Sequence, residues 1–463
     1  MPRKFLCFII SCALYVSLNA QTDDNRTVTT KIADLLAKTP ADDAKQLKAN
    51  AEAVANLGEN GIAALVAGLN AGGDDTRLHY AINGFSYYAT QKGSENWREL
   101  AVKAYARALP ELTSKEAQLF IITQLEHVGK DDAIAALEPF LKDERLSDAA
   151  SRALAAINTE ASNKALLQAL GSANGNAQLS IVQAFGHTAY AGSLQAITAL
   201  TGAGDQKLTK VVLYALAEIA DPSSAKLLAD AAVKANYTYD NTGATAAYLK
   251  YLNNLATKGN TSAAEKAANQ LLKKASADNQ VQTRIAALKL LSAIQGDNNT
   301  KLLTGAMKDK NAQYREAALK FAQSNLTAGS IGQWLKTFNK SGAPVKAAIL
   351  RMLGNNNVTA ALPVVLQSLQ SNDADVKLAA VTAAGKIGQQ DALPALLNIL
   401  KTADTTEAET VKSALLSLKG DSVTARTGDA LADASPAGKA AILDVLGARR
   451  DVKKNERYHS ADE

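Results

Sequence analysis

The stretch DADVKLAAVTAAGKIGQQDALPALLNILK, Asp373 to Lys401, reads as two helices joined by a short turn. Val376, Ala379, Ala380, Ala383 and Ile387 fall at helical spacing, Gly388 ends the run, and Leu393, Leu396, Leu397 and Leu400 form a second apolar stripe. Pro394 lies in the first turn of the second helix, where its missing N–H is harmless. The same unit recurs along the chain. The last apolar residues of its first helices are Leu57, Tyr87, Val128, Ile157, Phe185, Ile219, Leu255, Ile294, Leu353, Ile387, Leu418 and Leu446, with Asn325 a polar exception. Their spacing wobbles around thirty, with 28 between Leu418 and Leu446, 34 between Leu353 and Ile387, and longer steps of 36 and 39 on either side of Leu255. RIAALKLLSAI (284–294) echoes REAALKFAQSN (315–325), and KAAILRMLG (346–354) echoes KAAILDVLG (439–447). A repeat of this kind means stacked helical pairs.

No single pair can bury its own stripe, so neighbours must stack to make a continuous core. That explains how a chain with eight Phe and two Trp among 463 residues folds: its alanines let helices approach closely. With no strand-like alternation of Val, Ile and Thr, the expected fold is all-α, a right-handed α-solenoid of about twelve helical hairpins over residues 26–447. At about one helix diameter per layer it would be a curved rod on the order of 100 Å long.

The pattern resembles the HEAT repeats, in particular the short bacterial form labelled phycobilin-lyase-like. The resemblance rests on Asp373, Val376, Lys377, Ala380, Ala383, Ile387, Gly388, Ala392, Leu393, Pro394 and Leu397, and in weaker form on most repeats from about Thr27 to Gly447. It implies a scaffold that binds partners on a concave face. Bilin attachment has no support, because both cysteines, Cys7 and Cys12, lie in the first twenty residues.

Those residues, MPRKFLCFIISCALYVSLNA, carry Arg3 and Lys4, an apolar run from Phe5 to Leu18, and a short polar step. The layout is that of a secretory signal peptide with cleavage expected after Ala20, and the run is short for a bilayer span. An uncleaved anchor is the alternative, since Leu18 is bulky for its position before the cut. Cleavage leaves a chain without cysteine, so neither disulfides nor thiol catalysis is available. It also lowers the formal net charge from +5 by two, which leaves no polyanion footprint. The expected location is the periplasm or cell surface, with a protein or glycan partner, no nucleic acid, and no membrane span after cleavage.

Cations and acids recur near the start of first helices: Arg284, Arg315 and Lys377 with Asp278, Asp309 and Asp373. One reading is a basic stripe for an anionic ligand. The other is a structural ladder in which each Asp caps a helix and each cation ties it to the next repeat. Rungs of this type contribute only about 0–1 kcal/mol each when exposed, yet fix the stacking angle. HEAT repeats resemble the ladder.

Aromatic clusters are scarce. In NYTYDNTGATAAYLKYL, Tyr237 and Tyr239 fall in a polar loop, followed by Tyr248 and Tyr251. Tyrosine suits a ligand surface, combining apolar area with a hydroxyl. Packing beside a longer linker is the competing reading.

The four histidines fall in different repeats with no HExxH motif, there is no GxSxG, and the glycine pairs lack a preceding strand. No metal, cofactor or catalytic constellation is expected. The functional expectation is a non-enzymatic scaffold. The alternative is the helical part of a secreted sugar-processing system, since proteins of this look resemble those that continue into a β-sandwich similar to 3-keto-disaccharide hydrolases.

The final residues, 448–463, are polar where a second apolar helix is expected, and Gly447 is expected to end the preceding helix. They read as a capping tail or as a truncated half-repeat.

Overall fold

A computed structural model describes residues 26–459 apart from 203 and 325, together with the side chains of these residues except 278, 421 and 450–459. The expected signal peptide lies outside the described residues. The described residues are helical and turn segments with no strand among them, and they divide into two units, 1–188 and 189–463. Among them no helix is long and apolar enough to cross a membrane.

In the unit 189–463 the repeat becomes regular once it is counted from the helix starts. Gly342, Asp373, Asp404 and Ser435 stand 31 residues apart and precede the helices Ala343–Asn355, Ala374–Ile387, Thr405–Ser417 and Pro436–His459. The Asp373 carboxylate accepts the Val376 N–H at 3.0 Å, Asp404 that of Glu407 at 2.8 Å, and the Ser435 hydroxyl that of Gly438 at 3.0 Å. Each satisfies a donor that the first turn leaves without an intrahelical partner. Between these helices run the shorter Leu362–Ser368, Leu393–Ile399 and Asp421–Asp429. Successive long helices lie side by side, and each short helix packs on the long one that follows it. Leu350, Leu353, Val365, Ala380, Leu393 and Leu396 are buried in the seam, each burial stabilising by roughly 1.5–3 kcal/mol for the larger side chains.

Glycine sets how close the long helices come. A β-carbon on Gly354 would lie 2.8 Å from the Ala383 Cα, and one on Gly385 2.6 Å from the Ala414 Cα. Both glycines are internal to their helices. Gly447 holds the same register, 12 residues after Ser435, and it too is internal: the helix runs on to His459. The expected break at Gly447 is therefore corrected. This glycine shares the register of Gly354 and Gly385 and does not terminate a helix.

In the unit 1–188 the landmark residues Val128 and Ile157 close the helices Lys115–Val128 and Ser147–Ile157, as Ile219 and Ile387 close theirs in the other unit. Asn158, in left-handed conformation at φ 47°, ends one of them. Ala44–Ala55, Thr76–Ala89, Lys115–Val128, Ser147–Ile157 and Gly175–Thr188 form the row of first helices. Phe85, Tyr105 and Phe185 fill the core here. The Tyr105 hydroxyl shares a 2.9 Å hydrogen bond with Ser86, and burial pushes its phenol far above the ordinary value.

Candidate binding cleft

A depression in the unit 189–463 lies between the helices Thr261–Lys274, Val281–Gln295 and Thr300–Ala306. Gly296, at φ 53°, ends the middle helix, one turn of 3-10 helix follows, and the next helix spans seven residues. The cleft measures about 940 Å³.

Two of the ladder residues meet on its floor. Arg284 pairs with Asp309, and its guanidinium lies 4.2 Å from the ring centre of the buried Tyr314. Burial raises the Asp309 carboxyl, but hydrogen bonds from Arg284 and from the Asn311 N–H outweigh it and hold the group below its ordinary value. Burial likewise raises the Tyr314 phenol. Around the rim, Gln295 donates to Glu265 at 2.7 Å, and Asn298, Lys301 and Lys308 line the mouth with Leu272 and Leu302. Asp309 is thus committed to Arg284 and ionised well away from neutrality, unlike a general acid or base, whose pKa lies near the working pH. The chemistry this arrangement supports is recognition, through mixed polar and apolar walls.

The remaining ladder residues are placed individually. Lys377 reaches Glu407 of the next repeat at 2.9 Å, and Lys412 reaches Asp444 of the repeat after at 3.2 Å. Arg315 donates to the carbonyls of Asp309 and Lys310, both at 2.8 Å. Asp373 caps its helix, but Asp309 does not: Asn311 takes that role, accepting the Tyr314 N–H at 3.0 Å, which frees Asp309 for Arg284. Asp278 begins a 3-10 turn, and its side chain lies outside the described residues.

The tyrosine surface is corrected at three of four positions. Tyr237, Tyr248 and Tyr251 are buried, and only Tyr239 is exposed, at 54%. The loop turns inward because Asn236 and Tyr237 adopt left-handed backbone, at φ 49° and 54°, and because residues far along the chain hold it. Gln280 donates to the Asn236 carbonyl at 2.7 Å and Thr283 to the Tyr237 carbonyl at 2.6 Å. Tyr251 donates to the Asp221 carbonyl at 3.3 Å and stacks with Tyr248, and burial with the nearby Asp221 pushes its phenol up to about 12.

Sequence reasoning missed Tyr314, Glu265 and Gln295. The echo between 284–294 and 315–325 aligns the two arginines, and Tyr314 stands one residue before the second. It also missed Arg449, which folds back to donate to the carbonyls of Leu415 at 2.8 Å and Leu418 at 2.9 Å, closing the end of Thr405–Ser417. Among the described residues no group of His, Cys, Asp and Glu is placed to hold a metal ion.

Residues 333–419 match the family of HEAT repeats. Among curated proteins none matches the chain. Among solved structures, the crystal structure of Kap121p is 12% identical over 90% of this chain and 56% of its own, with a TM-score of 0.44. The crystal structure of importin beta in an ammonium sulfate condition is also 12% identical, over 90% of this chain and 61% of its own, with a TM-score of 0.38. The chain therefore spans just over half the length of these structures.

Proposed function

With residues 333–419 belonging to the HEAT repeats, we propose that the protein is a non-enzymatic binding scaffold of the bacterial cell envelope that holds a protein or glycan partner on its helical surface. The observation that carries this reading is the cleft beside Arg284, Asp309 and Tyr314, an open space of about 940 Å³ with mixed polar and apolar walls and a charged rim. Its size falls within the range of ligand sites, about 300–1,000 Å³. The signal-peptide layout of the sequence 1–20 supports the location.

The test uses Gly305, which lines the cleft with open space around it, so that a bulky side chain fills the site without displacing a neighbour. Wild type and Gly305→Trp are expressed in the host and captured from envelope extracts after cross-linking. A stoichiometric partner held by the wild type and lost from Gly305→Trp supports the reading. Equal capture by both, or turnover of a small molecule with saturation kinetics, would reject it. Mass spectrometry of the same wild-type sample tests export, with Gln21 as the expected first residue.

A further inference from the structure

We infer that the protein self-associates head to tail, the helix Ala44–Ala55 of one copy docking on the helix Pro436–His459 of another as though it were the next repeat. The inference rests on how long helices already meet within the chain. At the eighth residue after the cap, Leu350 is 0% exposed and Val381 1%, and Lys412 reaches Asp444 of the next long helix, whereas Leu443 in the same register is 58% exposed. At the twelfth, Gly354 and Gly385 lie against the next helix, whereas Gly447 has nothing within 4 Å. Lys439, at the fourth, is exposed where Lys377 reaches into the following repeat. The surface is that of a helix prepared for a neighbour, and among the described residues none occupies it.

The occupant must present a small residue ten positions after its own cap, as Ala383 and Ala414 do. The helix Ala44–Ala55 meets this requirement. Asp43 caps it, accepting the Gln46 N–H at 2.7 Å, and Ala53 stands ten residues on. Ala49 and Ala53 are both exposed, although the corresponding alanines of the internal repeat, Ala379 and Ala383, are buried. Docked in the register of the chain's own repeats, Gly447 would meet Ala53, and Leu443 would lie over the surface that Ala49 and Ala53 form. Two exposed faces on one chain thus complement each other, and contacts between different faces propagate from copy to copy instead of pairing symmetrically.

The experiment mixes two variants of the full chain, each also carrying Cys7→Ser and Cys12→Ser: Gly447→Cys and Ala53→Cys. Under mild oxidation the mixture is expected to give a disulfide between peptides containing positions 53 and 447, with neither variant dimerising alone. Sedimentation of the wild type should show a mass rising with concentration above that of one chain, and Leu443→Glu, at an exposed position, should abolish the rise while leaving helical content intact. A wild type that stays monomeric would overturn the inference and leave the face to a helix of another protein. Disulfides formed by Gly447→Cys alone would also overturn it, since they report a symmetric contact.

Discussion

Gly385 lies against Ala414 so closely that a β-carbon on the glycine would sit 2.6 Å from the Ala414 Cα and 2.8 Å from its Cβ. The contact joins backbone to backbone, so no rotamer change relieves it. Gly385→Ala is expected to destabilise the protein by about 1–3 kcal/mol, and Gly354→Ala similarly. Gly305→Ala, in a helix with open space around it, should instead stabilise by about 0.5–1 kcal/mol. Urea unfolding of the three variants separates a packing glycine from a merely tolerated one.

Asp309 and Arg284 are respectively 20% and 17% exposed. Replacing Asp309 by Asn leaves a largely buried guanidinium without its counter-charge and should cost about 1.5–3 kcal/mol. Because the folded carboxyl is held below 3.8, its contribution is complete above that pH and is lost as the pH falls through the lower folded value. Thermal unfolding of wild type and Asp309→Asn from neutral pH downward should show the two curves converging at the acid end.

Tyr251 titrates in the opposite sense. Its phenol rises from 10.0 to about 12 on folding, so the stability it confers is complete below pH 10 and is lost as the pH climbs toward 12. Tyr251→Phe should cost about 1 kcal/mol at neutral pH, through loss of the bond to the Asp221 carbonyl, and should lessen the alkaline decline. Absorbance titration of tyrosinate alongside unfolding checks both. By contrast, Tyr239→Ala, at an exposed position, should stay within about 0.5 kcal/mol of wild type.

Arg449 ties the last described helix to the end of Thr405–Ser417. Arg449→Ala should destabilise the final hairpin by about 1.5–3 kcal/mol, and Arg449→Lys should recover only part, since an ammonium cannot span the carbonyls of Leu415 and Leu418 and the Thr424 hydroxyl from one rigid fork. Hydrogen exchange in 405–429 reads the loss locally.

The helical repeat was legible because apolar spacing and caps are local: Asp373, Val376 and Ile387 specify their helix within fourteen residues. The fate of Tyr237 was not. Its loop is held by Gln280 and Thr283, more than forty residues away, and no periodicity marks such a bond. Asp309 was misread for a subtler reason. Asn311 stands at the cap of the helix that begins at Ala312, and Asp309, two residues earlier, pairs with the preceding repeat's Arg284. The cleft was illegible too, since its walls come from three helices, 261–274, 281–295 and 300–306, whose separation no local pattern marks.

The even 31-residue step from Gly342 to Ser435 has an evolutionary consequence. Loss or duplication of one such block of codons would return each glycine opposite an alanine and each lysine near the following repeat, whereas an error of one residue would turn all later helices by about 100°. Length in this part of the molecule can therefore change by recombination in whole units, with the joints preserved.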